Sequence, residues 1–205
     1  MANVIGPFGL SQWGTASGPP NFAEVHNTPY RIAAGNATAI FYGDLVRLDV
    51  SGPTGYLVQW ANGAGGTATI IPVGVFVGCA YYSTSQQKTI FNKYWPGSDA
   101  TGDVSAFVVD DPNSQWMIQG DTTLAAAITQ TSMGRTADVV VNAGNTVTGI
   151  SGMALSTPGT ANTNPLKVVN FVTTPPGANG TDLTTVGNYV IVAFNNQQYK
   201  TLLGV

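Results

Sequence analysis

The sequence predicts an all-β protein: a single-domain β-sandwich or barrel, jelly-roll-like, with at most one short helix. Three observations carry that expectation. Valine is far commoner than leucine and threonine is abundant; both are β-branched, lose side-chain freedom in a helix and fit a pleated sheet. The chain has 25 Gly and 12 Pro with which to turn. Short apolar runs separated by turn signals recur every ~8–12 residues, the spacing of sandwiches and barrels.

Residues 1–29 carry no usable strand or helix period, and Gly6-Pro7, Gly18-Pro19-Pro20 and Pro29 punctuate them. Yet Val4, Ile5, Phe8, Leu10, Trp13 and Phe22 are more large apolar groups than a disordered tail normally holds. Two readings stay open, a coil strapped over its own domain or an extended N-terminal arm whose aromatics plug into a neighbouring subunit. The expected division is an arm over 1–29 and a β-rich domain over 30–205, so that removing the arm leaves a folded core.

Alternating or continuous apolar runs place strands at 37–42, 45–50 and 56–60, the last two parted by Ser51-Gly52-Pro53. The run at 70–82 is apolar throughout and reads as a fully buried strand. Further strands follow at 89–94, 104–110 and 115–119, with Asp111-Pro112-Asn113 turning the chain between the last two. The one helical segment is 122–132, with Asp121 as N-cap, Ala125-Ala126-Ala127 as its core and Gly134 to close it, although the surrounding threonines oppose it. Strands at 137–141, 146–150, 166–172 and 189–194 complete the pattern.

Only 8% of the residues are charged and Glu24 is the sole glutamate, against about 25% charged in ordinary globular chains. The surface is therefore made of Thr, Asn, Ser, Gln and Gly, and suits a protein whose outside becomes the inside of an assembly. The seven basic residues are scattered singly under a net charge of −3, which argues against nucleic-acid binding, since that draws on clustered phosphate contacts. The apolar stretch at 70–82 is too short for a membrane span of ~20 residues, and MANVIGPFGL has no basic n-region. No membrane partner is expected, and synthesis in a cytoplasm is.

The chemical inventory is thin. His26 is the only histidine, and no nucleophile turn accompanies it. Cys79, the only cysteine, lies in an apolar run without neighbouring cations and reads as a small buried hydrophobe. Asp110-Asp111-Pro112 reads first as a turn opener and second as a structural cation site, and Asp99 and Asp103 share a faint alternating-oxygen pattern. Tyr81, Tyr82, Tyr94 and Trp95 could stack sugars, but aromatics at strand ends more often serve as core or interface anchors. No catalytic residue, cofactor or metal is expected.

Seven strings occur in order along the chain: MANVIGPFGL at the start, IFYGDLV at 40–46, GVFVGCAYY at 74–82, FNKYWPG at 91–97, FVVDDP at 107–112, TGISGMAL at 148–155 and NNQQYKT at 195–201. Together they resemble a family of small tailed-bacteriophage virion proteins, the capsid decoration or cement proteins. Many members carry Arg-Pro after the opening PFGL, where this chain has Ser11-Gln12. The resemblance implies a structural, non-enzymatic virion protein on the outer surface of the head that staples neighbouring major-capsid subunits. A homotrimer would multiply modest contacts through multivalency. Phe8, Leu10, Trp13, Phe22, Tyr94 and Trp95 are the expected capsid or subunit contacts. The rivals are another virion β-protein, such as a tail-tube or fibre-base component, and a carbohydrate-binding module.

Overall fold

A computed structural model describes residues 3–15, 30–52, 54–61, 70–172 and 181–200. Two antiparallel sheets pack as a sandwich, as the β-branched composition requires. The first has five strands: β1 (Ser11–Thr15), β8 (Ser114–Gln119), β13 (Tyr189–Phe194), β12 (Leu166–Phe171) and β9 (Thr136–Ala137), in that spatial order. The second has β2 (Tyr30–Ile32), β7 (Val104–Val109), β5 (Pro72–Ser83), β3 (Leu45–Leu48) and β4 (Leu57–Gln59), with β6 (Lys88–Asn92) paired to the far end of β5. A small ladder joins β10 (Val139–Val140) to β11 (Ala154–Leu155).

The first sheet alternates as a half-buried sheet should. Trp116 and Ile118 of β8 and Val190, Val192 and Phe194 of β13 face the core between the sheets. The second sheet is buried on both sides. Leu45, Val75 and Val109 join that shared core. Their neighbours Val46, Val73, Phe76 and Val108 face a second core with Ile40, Tyr81 and Trp95. This explains the unbroken apolar run at 70–82, because a strand covered on both faces needs no polar alternation. The edges β2 and β4 approach each other as this sheet curls around its inner core.

The sequence and the structure differ at several elements. Residues 122–132 are not a helix: they form turns ending in a single 3-10 turn at Gln130–Ser132. Asp121 does accept the Thr122 N–H at 2.9 Å and the Thr123 hydroxyl. However, the backbone of Ile128 is held on both sides by the Asn188 amide, whose Nδ2 donates to Ile128 O at 2.6 Å and whose Oδ1 accepts from Ile128 N at 3.3 Å. Those bonds take the groups a helix would use internally. Residues 146–150 form a turn, in which Asn145 Oδ1 accepts the N–H groups of Val147 and Thr148. Over 37–42 only isolated bridges form, Ile40 with Trp95 and Tyr42 with Ile150.

Of the two readings left open for the beginning of the chain, the described residues follow the strap. Residues 3–10 are strapped over their own domain, and Ser11–Thr15 form an edge strand antiparallel to β8. Leu10 is 1% exposed in the shared core. Over residues 3–15, therefore, there is no free arm. Residues 16–29, with Phe22 and His26, lie outside the described residues.

Candidate contact site

Two glycines bring the chain's scattered strings to one joint. Gly9 has φ +70° and Gly43 φ +91°, the left-handed region that glycine enters without steric cost. A Cβ on Gly9 would stand 2.5 Å from Gly43 O and 2.5 Å from the Ser151 Cβ. That contact has no room for a side chain, so PFGL, FYGD and ISGM can meet only through glycine. Backbone bonds fasten them: Leu10 N donates to Gly43 O at 2.8 Å, Gly9 N to Met153 O at 3.2 Å, Gly43 N to Phe76 O at 2.9 Å and Ser151 N to Tyr42 O at 2.9 Å.

Asp44 seals the joint from within. It is 1% exposed. Its carboxylate accepts from Phe41 N at 2.8 Å and from Gln59 Nε2 at 2.7 Å. Burial pushes its carboxyl above the ordinary range, against the pull of those donors and of the Ser151 hydroxyl. The group serves as a structural clamp, with its oxygens turned inward.

On the outer side of the same joint lies a cavity of about 300 Å³ lined by Phe8, Ser11, Tyr42, Lys93, Met117 and Ile150. Ser11 and Met117 are register partners on adjacent strands and point to one face. Phe8 stacks on Tyr189, with centroids 5.9 Å apart. The Lys93 ammonium stands 5.3 Å from the centre of the Tyr42 ring, a cation–π geometry. Four of the six lining residues come from four different strings: Phe8 from PFGL, Tyr42 from FYGDLV, Lys93 from FNKYWPG and Ile150 from TGISGMAL.

The expected contact residues divide. Phe8 lines this cavity, and Trp13 is 44% exposed on β1. Tyr94 is half-buried and stacked on Phe41 at 5.3 Å. Leu10 and Trp95 are core residues at 1% and 0% exposure, and as folded neither offers a surface to a partner. Trp95 packs edge-on against Tyr81 at 5.1 Å, and its Nε1 donates to Asn36 O at 3.1 Å. The aromatic group of Tyr81, Tyr82, Tyr94 and Trp95 is therefore split between core and surface and makes no sugar-stacking platform. Tyr42, Lys93, Met117 and Ile150 were not singled out from the sequence. Three of them sit inside the quoted strings, and the available signal was that those strings share a place.

The remaining candidates make contacts within the fold. Burial pushes the Cys79 thiol up to about 12, and its Sγ donates to Tyr94 O at 3.5 Å. Asp110 accepts the Tyr30 hydroxyl at 2.8 Å, and Tyr30 in turn meets the Tyr199 hydroxyl at 2.7 Å. Asp111 opens its turn by accepting Asn113 N–H at 2.9 Å. Asp99 and Asp103 face different partners, the serines of the β5–β6 turn and the Tyr56 hydroxyl. Among the described residues no group of three or more His, Cys, Asp or Glu gathers to hold a metal ion, and no helix is long and apolar enough to cross a membrane.

Set against protein-family models, curated proteins and solved structures, the chain matches none of them.

Proposed function

We propose that this chain is a structural virion protein, a capsid decoration or cement protein. It would bind the outside of a tailed-phage head as a homotrimer and staple neighbouring major-capsid subunits. The observation that carries the reading is the convergence of four of the resembling strings around one partly apolar surface cavity. Strings far apart in sequence have no local reason to line a common hollow, and a shared partner supplies one. The charge-poor surface supports it as well, since neutral polar groups can be covered by a partner without stranding ions.

On this reading Phe8, Tyr42 and Ile150 form the apolar floor that a capsid side chain fills. Lys93 supplies the polar rim, the arrangement typical of interface anchors. Lys93→Glu and Tyr42→Ser should leave the circular dichroism spectrum unchanged, because neither residue lies in a core. Each should weaken co-sedimentation with heads from the same genome that lack this chain, by about tenfold or more. If both variants pellet with heads as fully as the parent, this cavity is not the contact.

A further inference from the structure

Two strings that take no part in the contact cavity, FVVDDP at 107–112 and NNQQYKT at 195–201, meet where β7 ends beside the start of β2. Gln197 is fully buried there. Its Nε2 donates to Val73 O at 2.6 Å and to Asp110 O at 3.0 Å. Its Oε1 accepts Tyr199 N–H at 2.9 Å, Gln198 N donates to Pro72 O at 2.9 Å, and Lys200 Nζ donates to Phe194 O at 2.7 Å. The segment after β13 is thus pinned residue by residue. Tyr199 is held in a set position with 56% of its surface exposed.

In that position its hydroxyl stands 2.7 Å from the hydroxyl of Tyr30, which donates to Asp110 Oδ2 at 2.8 Å. With the Tyr30 hydrogen spent on Asp110, Tyr199 is the donor between the two phenols, and the three groups form one chain from Tyr199 through Tyr30 to Asp110. Burial first, then the bonds to Tyr199 and Asp110, hold the Tyr30 phenol well above its ordinary range. A phenol so placed loses an electron only together with its proton, and the Asp110 carboxylate stands where that proton goes. The pair also matches the product of such an oxidation. When two tyrosines couple through the ring carbons ortho to oxygen, their oxygens lie side by side at hydrogen-bond distance. Each ortho carbon is two bonds from its oxygen, so a rotation of the exposed Tyr199 ring about the shared contact brings the two carbons together.

We infer that Tyr30 and Tyr199 are an oxidative coupling site, joined by a haem peroxidase acting with hydrogen peroxide into a dityrosine clasp that ties residues 195–200 to β2. Each phenol gives up one electron and its proton. The two phenoxyl radicals form one Cε–Cε bond, and each ring then returns its ortho hydrogen to its own oxygen through solvent. The peroxide takes the two electrons and two protons and leaves as two waters. The new bond joins residues 169 apart in sequence, so it restricts the unfolded chain far more than the folded one. The inference does not depend on the capsid-contact reading.

The test treats the full chain with a haem peroxidase and limiting hydrogen peroxide. The intact mass should fall by two hydrogens, dityrosine fluorescence should appear, and the product should still run as a single chain on a denaturing gel. Digestion should yield the peptides of Tyr30 and Tyr199 linked to each other. The coupled chain should melt about 5 °C or more above the untreated one, as expected for a cross-link closing a long loop. Tyr30→Phe and Tyr199→Phe should each abolish the linked product, whereas Tyr56→Phe, which removes a hydroxyl bonded to Asp103 at 2.8 Å, should not. Tyr199→Phe keeps a ring at the surface, and its thermal melt separates lost coupling from lost folding. The proposal is overturned if the peroxide is consumed without loss of hydrogen from the chain, if coupling joins chiefly two chains or other tyrosines, or if Tyr199→Phe couples as fully as the parent.

Discussion

Asp99 fastens the turn between β5 and β6 from outside it, beside the turn's own bonds from Gln87 N to Ser83 O and from Gln86 N to Ser83 Oγ. Its carboxylate accepts the Ser83 hydroxyl at 2.7 Å, the Ser85 N–H at 3.0 Å and the Thr84 hydroxyl at 2.8 Å. Those donors favour the ionised form and hold its carboxyl down at about 2. A carboxyl whose folded value lies below its unfolded one stabilises the fold fully above the ordinary value of ~3.9, and loses that contribution as pH falls through about 2. The β5–β6 hairpin should therefore loosen between those limits, seen as a falling protection factor of the Ser85 amide once its intrinsic exchange rate at each pH is divided out, and Asp99→Asn should loosen it at neutral pH and remove the pH dependence. Cys79 gives the opposite kind of prediction. With its thiol pushed up to about 12, almost no thiolate exists at neutral pH, so maleimide should label it only after unfolding. Cys79→Ala should cost about 1 kcal/mol by thermal melt, as a small buried group does. Rapid labelling of the native protein would show that the strand opens.

At the scale of elements, the strap over residues 3–10 and the edge strand β1 act together. Leu10→Ala should lower stability by about 2–5 kcal/mol, the range for deleting a buried aliphatic side chain. Removal of residues 1–15 should cost more, because it strips an edge strand and the strap together. Calorimetry on both variants checks this, and an unchanged melt in the truncated chain would mean that the strap is a passenger. Nothing in Ser-Gln-Trp-Gly-Thr signals a strand: it has one large apolar side chain and a glycine, and its register slips between Gln12 and Gly14. The sheet, not local propensity, recruits it. Where the sequence was legible, burial was the reason. The apolar run at 189–194 is a strand over the same residues, since the middle of a sheet tolerates no interruption. The run at 137–141 breaks at Asp138, whose carboxylate accepts Trp60 Nε1 at 2.8 Å and its own neighbour Val139 N–H at 2.7 Å. The candidate contact cavity was legible only in part. Phe8 stood out as an aromatic in an irregular segment, but Lys93 and Ile150 gain meaning only from neighbours distant in sequence.

At the scale of the whole molecule, the proposed assembly makes a plain prediction. Light scattering at micromolar concentration should give three times the mass of the 21.2 kDa chain, and a monomer would confine trimer formation to the capsid surface. The strap has a further consequence for how the molecule comes into being. Asn3 donates to Asp182 O at 2.9 Å and Asp182 N–H returns a bond to Asn3 Oδ1 at 2.8 Å, across 179 residues of chain. Val4 O likewise accepts from Gln119 Nε2 and from the Tyr189 hydroxyl. A ribosome adding about 5–20 residues per second makes the opening residues roughly 10–40 s before their final partners exist. Such distant pairings also fold slowly, because loop closure comes before any contact rewards it. During that interval Leu10 and Trp13 have no sheet to join, so the nascent chain carries these apolar groups uncovered. Crowded polysomes should therefore be where this protein is most prone to aggregate, and slowing synthesis late in the message should lower its soluble yield.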